Sequence, residues 1–207
     1  MEYITKGYQP EDALRYFEEI AQIPHGSYNE EAVSQYLVDF AAAHGIECYR
    51  DELFNVFMKK PGSKGCENLP PILIQGHTDM VCEKNNDTVH DFTKDPLKLR
   101  IEDGWLKASG TTLGADNANA VVYMMALLAR NDLKHPPLEC LFTVREEVGL
   151  EGAFGFDCSR ISAKRLLNMD AGPEGYVLVS AAGGLGVTIE KPNHWIPFAG
   201  ASLALRV

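Results

Sequence analysis

Pro71-Ile72-Leu73-Ile74-Gln75-Gly76-His77-Thr78-Asp79 is the stretch that decides how this chain is read. Its first part is apolar without alternation, the pattern of a strand covered on both faces. It runs directly into a glycine, an imidazole and a carboxylate. In open α/β sheets ligands collect beyond the carboxyl ends of the strands, which is where His77 and Asp79 fall. A neutral imidazole is a good ligand for zinc, cobalt or manganese. A carboxylate beside it can hold the ring and raise its basicity, which is the role open to Asp79. Alone, a His-x-Asp is more often a polar turn, so the reading depends on what else the chain brings to the same edge.

Three further acidic stations follow. Asp116 lies in Gly110-Thr111-Thr112-Leu113-Gly114-Ala115-Asp116-Asn117, ahead of a strongly apolar helix expected over 118–130. Its two oxygens suit it to bridge two metals; the ordinary alternative is a helix N-cap. Glu146 and Glu147 follow a buried strand expected over 138–144. Adjacent strand side chains point to opposite faces, so both reach one site only if the chain bends, and Gly149 and Gly152 allow a bend. One glutamate can then bind metal, while the other takes a proton from an activated water and passes it to a leaving amine. A solvated acidic turn is the plainer alternative. Asp170 ends a strand over 165–169 and is either a terminal ligand or a turn-initiating Asp. Together these stations, all at one sheet edge, point to a dinuclear metal centre for hydrolysis.

The rest of the pattern supplies the sheet and its cover. Pro10-Glu11-Asp12 opens a helix, with acids at the positive end, and Ala13, Leu14, Phe17, Ile20 and Ala21 form its apolar stripe. Ser27-Tyr28-Asn29-Glu30 has capping-box spacing ahead of a second helix that Gly45 stops. Strands are expected over 46–50, 55–58, 71–75, 105–108, 176–180 and 186–190, and the polar segment 83–104 reads as a long loop. His25, His44, His90, His135 and His194 read as surface or turn residues. The order of elements predicts an α/β fold, a three-layer sandwich whose mixed, largely parallel sheet is flanked by helices.

Composition narrows the function classes. The 207 residues carry a formal net charge of -10 and are 45% hydrophobic. That is a globular chain, and its acidity argues against a nucleic-acid partner. No apolar run approaches the ~18 residues of a membrane span. Five scattered cysteines without a CxxC pair, and a polar start, read as free thiols in a reducing cytoplasm.

The same residues resemble a known family. Gln75-Gly76-His77-Thr78-Asp79-Met80-Val81, the stretch Lys84-Asn85-Asn86-Asp87-Thr88-Val89-His90-Asp91-Phe92-Thr93-Lys94-Asp95-Pro96, and the segment ending in Asp116-Asn117 closely resemble the aminoacyl-histidine dipeptidases. These are also called Xaa-His or cytosolic non-specific dipeptidases, metallopeptidases related to carboxypeptidase G and acetylornithine deacetylase. Glu146-Glu147-Val148-Gly149-Leu150-Glu151-Gly152-Ala153 and Asn168-Met169-Asp170 continue the likeness. The resemblance implies His77, Asp116, Glu147 and Asp170 as metal ligands, with Asp116 bridging. It implies Glu146 as general base and Asp79 as the orienting acid. It implies two zinc ions, with cobalt or manganese as substitutes, and unblocked dipeptides as substrates.

The chain departs from the family pattern in places. Ala118 and Ala120 stand where the family usually has glycine, and Ala171-Gly172-Pro173 replaces an acidic run. Family members also continue past this point into a lid domain and a returning segment, each of which supplies a His. Residues 1–190 therefore read as the N-terminal part of a catalytic domain and 191–207 as the start of a lid or dimerisation domain. The expectation is a weak or inactive dipeptidase as this chain alone. Two other readings stand beside it. One is a non-catalytic metal-binding remnant that persists as a homodimer or partner subunit, and the other is an amidohydrolase for acylamino acids.

Overall fold

The structure, a computed structural model, describes residues 2–170 and, beyond them, 172, 175–180, 183, 187–188, 190–192 and 199–200. By its internal contacts the chain divides into Met1–Ala171 and Gly172–Val207.

In the first unit, helix α1 spans Glu11–Ala21, with Glu11 and Asp12 in its first turn. Its buried face is Ala13, Tyr16, Phe17, Ile20 and Ala21, the three-and-four spacing of one helical stripe. Helix α2, Glu31–His44, ends at Gly45 in the left-handed conformation (φ 64°), where glycine carries no Cβ penalty. Strands β1 (Glu47–Arg50), β2 (Val56–Lys60), β3 (Ile72–His77), β6 (Leu138–Thr143) and β7 (Leu166–Asn168) form one sheet in the order β1-β2-β6-β3-β7. Strands β4 (Leu99–Glu102) and β5 (Trp105–Ala108) form a separate hairpin. Helix α3 covers Ala115–Ala129, and a short α4 covers Glu151–Gly155.

The sheet is mixed, as expected. Parallel pairing is confined to β6-β3-β7, while β1-β2 and β2-β6 are antiparallel. The three parallel strands are those that lead to His77, to Glu146-Glu147 and to Asp170, so their carboxyl ends share one edge.

Alternation along the strands sorts the core. Val56, Met58, Ile74, Cys140 and Phe142 join the residues of α1, α2 and α3 in one cluster, while Phe57, Leu73 and Leu141 pack with Phe156 in another. Full burial of one such large apolar side chain is worth roughly 1.5–3 kcal/mol. Helix α3 is apolar almost all round because it lies between α1 and the sheet. Its close approach depends on Gly76, where a Cβ would overlap Ala120 Cβ. The small residue at 120 thus meets the glycine of β3, and the start of α3 is drawn up to His77.

Two sequence expectations change, and a third is not tested. The segment 83–104 is not all loop, since Leu99–Glu102 pairs with Trp105–Ala108. The residues 176–180 carry no strand: Tyr176, Val177, Leu178 and Val179 are exposed, and a strand persists only with a ladder partner. The strand expected over 186–190 lies in part outside the described residues.

Candidate metal centre

Each acid reaches the sheet edge by a different local device. His77 is the last residue of β3 and is fully buried. Its Nδ1 lies 2.9 Å from the carbonyl of Asp79 and 3.3 Å from Asp79 Oδ1. The ring is therefore held both through the peptide and through the carboxylate, and Nε2 faces outward.

Asp116 arrives through an irregular helix start. Asp116 (φ -85°, ψ 105°) and Asn117 (φ -120°, ψ 32°) are not helical, and the peptide between them is cis. The capping role open to Asp116 falls to Asn117, whose Oδ1 accepts from Ala120 N at 3.3 Å. The Asp116 carboxylate is thereby free to face His77, with Oδ1 3.1 Å from Nε2.

The bend after β6 forms as required. Arg145 has a positive φ of 55°, and Gly149 N and Leu150 N return to the Glu146 carbonyl at 3.0 and 3.1 Å. Gly152 packs where a Cβ would strike the Val144 backbone and Asn55 Oδ1. Asn55 in turn clamps the turn, accepting from Val144 N and donating to the Gly152 carbonyl. Glu146 Oε2 stands 3.7 Å and Asp170 Oδ2 3.9 Å from His77 Nε2.

Two overlapping groups result, His77 with Asp116 and Asp170, and His77 with Glu146 and Glu147. Within each, one ligand atom per residue lies within 4.8 Å of the others. All six residues singled out from the sequence thus stand in or directly beside one cluster. The sixth, Asp79, sits behind it. Its Oδ1 accepts from Glu146 N at 3.0 Å, and its Oδ2 accepts from Glu147 N at 3.3 Å and Ser27 Oγ at 2.8 Å.

The electrostatics follow from this crowding. Burial works against a charged His77. The hydrogen bond and charge of Asp79, with the charges of Asp170 and Glu146, outweigh it and lift the imidazole to about 9. Burial, against the pull of His77, pushes Asp170 up to about 6, helped by Asp116 and Glu146. Glu147 is raised chiefly by burial, with Asp116, Glu146 and Asp79 adding to it. Asp79 goes the other way: burial opposes its charge, but His77, the Glu146 N–H and Ser27 hold it below the usual range. One imidazole and several oxygens that repel one another as they stand are a fitting donor set for divalent cations. A cleft of about 380 Å³ adjoins Asp116 and Glu147, lined by Val81, Thr112, Leu113, Gly114 and Ala115. A larger groove, about 690 Å³, lies at the amino ends of β3 and β6 and holds none of these acids.

Sequence reasoning misplaced three residues, two of them beside the cluster. Ser27 does not cap α2, whose N-cap is Glu30 without a side-chain bond; its hydroxyl goes to Asp79 instead. His25 is buried, with Nδ1 2.5 Å from the Ile23 carbonyl. His90 is buried edge-on against Phe92. The last two read from the sequence as surface or turn residues, and only tertiary packing buries them.

Known proteins share this fold. The family model "Peptidase family M20/M25/M40" matches residues 73–185, the span that holds every acid of the cluster. The cytosol non-specific dipeptidase of Escherichia coli K12 is 44% identical over 179 residues, which is 86% of this chain and 37% of that protein. The crystal structure of aminoacylhistidine dipeptidase from Vibrio alginolyticus superposes with a TM-score of 0.78 at 44% identity, over 81% of this chain and 34% of that one. A Staphylococcus aureus tripeptidase, 23% identical with a TM-score of 0.66 over 79% of this chain and 44% of its own, shares the fold. The chain thus spans little more than a third of the length of the first two relatives. With more than half of its residues inside the family model, and with the cluster among them, the chain belongs to peptidase family M20/M25/M40.

Proposed function

We propose that this chain hydrolyses, weakly on its own, the peptide bond of unblocked dipeptides at a centre of two divalent cations, most simply zinc. The observation that carries the reading is the convergence of Asp116, Glu146 and Asp170 within 3.9 Å of one buried imidazole nitrogen. His77, Asp116, Glu147 and Asp170 would hold the cations. Two such cations, when bound, supply Lewis acidity that activates water and polarises the scissile carbonyl. Glu146 accepts the proton of the attacking water and returns it to the leaving amine. Asp79 fixes the imidazole and the backbone of the glutamate turn, so that neither has to reorganise during the reaction. The dipeptidase names of the two relatives at 44% identity support this substrate class.

We assign residues 1–190 to the N-terminal part of the catalytic domain and 191–207 to the start of a further one. A cytoplasmic setting agrees with the cytosolic relative and with five cysteines that are all unpaired.

The test is zinc titration of the metal-stripped chain, followed by assay of an unblocked dipeptide and its N-acyl counterpart. Two zinc equivalents and slow turnover of the unblocked substrate are expected. Glu146→Ala should lower kcat by at least about 10²-fold with zinc stoichiometry unchanged. Zinc binding without turnover would leave only a metal-binding module, and turnover of the acylated substrate alone would reassign the substrate. Activity retained in Glu146→Ala would remove the base assignment.

A further inference from the structure

The loop between α1 and α2 lies against the back of the metal centre, and three contacts hold it there. Met80 N donates to the His25 carbonyl at 3.2 Å, and Gly26 pairs with Met80 in a parallel bridge. Gly26 also sits where a Cβ would collide with Cys82 Sγ, so the backbone approaches as closely as it can. Asn29 N closes a turn on the Gly26 carbonyl at 2.8 Å. Ser27, between these anchors, directs its hydroxyl to Asp79 Oδ2 at 2.8 Å across 52 residues of sequence.

Asp79 is buried at 1% exposure, and its donors are few. Oδ1 takes Glu146 N and faces His77 Nδ1, whereas among the described residues Oδ2 has only Ser27 Oγ and the longer bond from Glu147 N at 3.3 Å. A buried carboxylate needs its lone pairs satisfied. Without the hydroxyl, Oδ2 retains one long bond and the carboxylate is free to turn. Its two ends hold the imidazole and the glutamate turn, so a turn of the carboxylate moves both.

We propose that Ser27 is a positioning residue of the metal centre, acting through Asp79 on His77 and on the backbone of Glu146 and Glu147. The inference rests on the metal-binding reading above. It assigns a role to a loop that touches none of the metal-binding or base residues directly.

The test uses the full 207-residue chain, with zinc affinity from chelator competition and the visible spectrum of the cobalt-substituted protein. Ser27→Ala should weaken zinc binding about tenfold, the lower end for loss of a group supporting metal ligands, and should change the cobalt spectrum. Ser27→Thr keeps the hydroxyl and should restore both. Ser34→Ala is the control, because its buried hydroxyl makes a bond of equal length, 2.8 Å, to the Phe54 carbonyl away from the centre. It should lower the melting temperature and leave zinc affinity unchanged. Zinc affinity of Ser27→Ala within twofold of the parent overturns the proposal, as does a parallel fall in Ser34→Ala. His77→Ala separates the two levels. If it loses zinc while Ser27→Ala does not, the positioning role alone fails; if it binds zinc like the parent, the metal reading fails and takes this inference with it.

Discussion

Two buried carboxylates at opposite ends of the sheet sit in nearly the same cradle. At the amino end of β6, Glu139 accepts from Ser162 Oγ at 2.6 Å, Ser162 N at 3.0 Å and Ala163 N at 3.0 Å. At the carboxyl end of β3, Asp79 accepts from a serine hydroxyl and two consecutive backbone amides. Burial opposes the charge on both, and the donors hold both below the usual carboxylate range. They differ in the neighbouring base. Glu139 lies 3.6 Å from Lys59, an ammonium whose hydrogen bond goes to the Arg160 carbonyl at 3.1 Å and which reaches no further acid among the described residues. Asp79 lies 3.3 Å from His77, whose other nitrogen faces three more acids. The same cradle can therefore pin a loop or support a reactive centre. Which it does depends on whether its partner has a second, unfilled coordination face.

The sharpest way to break the comparison is to remove each acid in turn. Glu139→Ala takes away the carboxylate beside Lys59, which keeps only the Arg160 carbonyl, and leaves two backbone amides without an acceptor. Loss of one member of a buried pair costs about 3–5 kcal/mol; Lys59 is partly exposed, so we expect about 3 kcal/mol by urea denaturation. Zinc affinity should be unchanged. If zinc affinity falls in proportion, the two ends of the sheet are not independent.

Asp79→Asn should show the opposite profile. The amide keeps an oxygen for one backbone donor, so stability should fall by less than in Glu139→Ala. The charge behind His77 is lost, and zinc affinity should fall about 10- to 100-fold. In the metal-free chain the His77 imidazole should drop from about 9 toward its ordinary value, as followed by NMR titration of the ring. An unmoved His77 would mean that Asp170 and Glu146 alone hold the proton.

The two cradles also differ in how legible they were. His77, Glu146, Glu147 and Asp170 were readable because strand ends are marked locally, by an apolar run that stops at a polar residue, and Asp116 because it stands just ahead of an apolar helix. Strand β5 is among the sequence expectations, whereas its partner β4 reads there as loop although its signal is local. Leu99, Arg100, Ile101 and Glu102 alternate, and Asp103-Gly104, both with positive φ (54° and 77°), is a strong hairpin signal. Ser27 was misread because Ser-x-x-Glu satisfies the capping-box pattern, while its partner lies 52 residues away. Glu139, an acid inside the buried run Leu138–Thr143, gives no hint that Ser162 and Ala163 will meet it. Sequence shows where an acid sits on a strand. It does not show which distant donors make that position tolerable.

The smallest expected effect is a pair of opposed pH slopes. The folded pKa of Glu139 lies below its unfolded value. Its contribution is therefore present above about pH 4.3 and lost as pH falls through the folded value. His77 in the metal-free chain has a folded pKa above its unfolded value, so its contribution is present below about pH 6.5. It is lost as pH rises toward about 9. Asp170, raised to about 6, acts in the same sense, its protonated form being favoured on folding. The melting temperature of the metal-free chain should therefore decline on both sides of a slightly acidic maximum. Glu139→Gln should flatten the acid limb alone. Saturating zinc should abolish the alkaline decline, because ligands bind metal only when deprotonated and rising pH then favours the loaded state. An alkaline limb that survives zinc would place the responsible groups outside the cluster around His77.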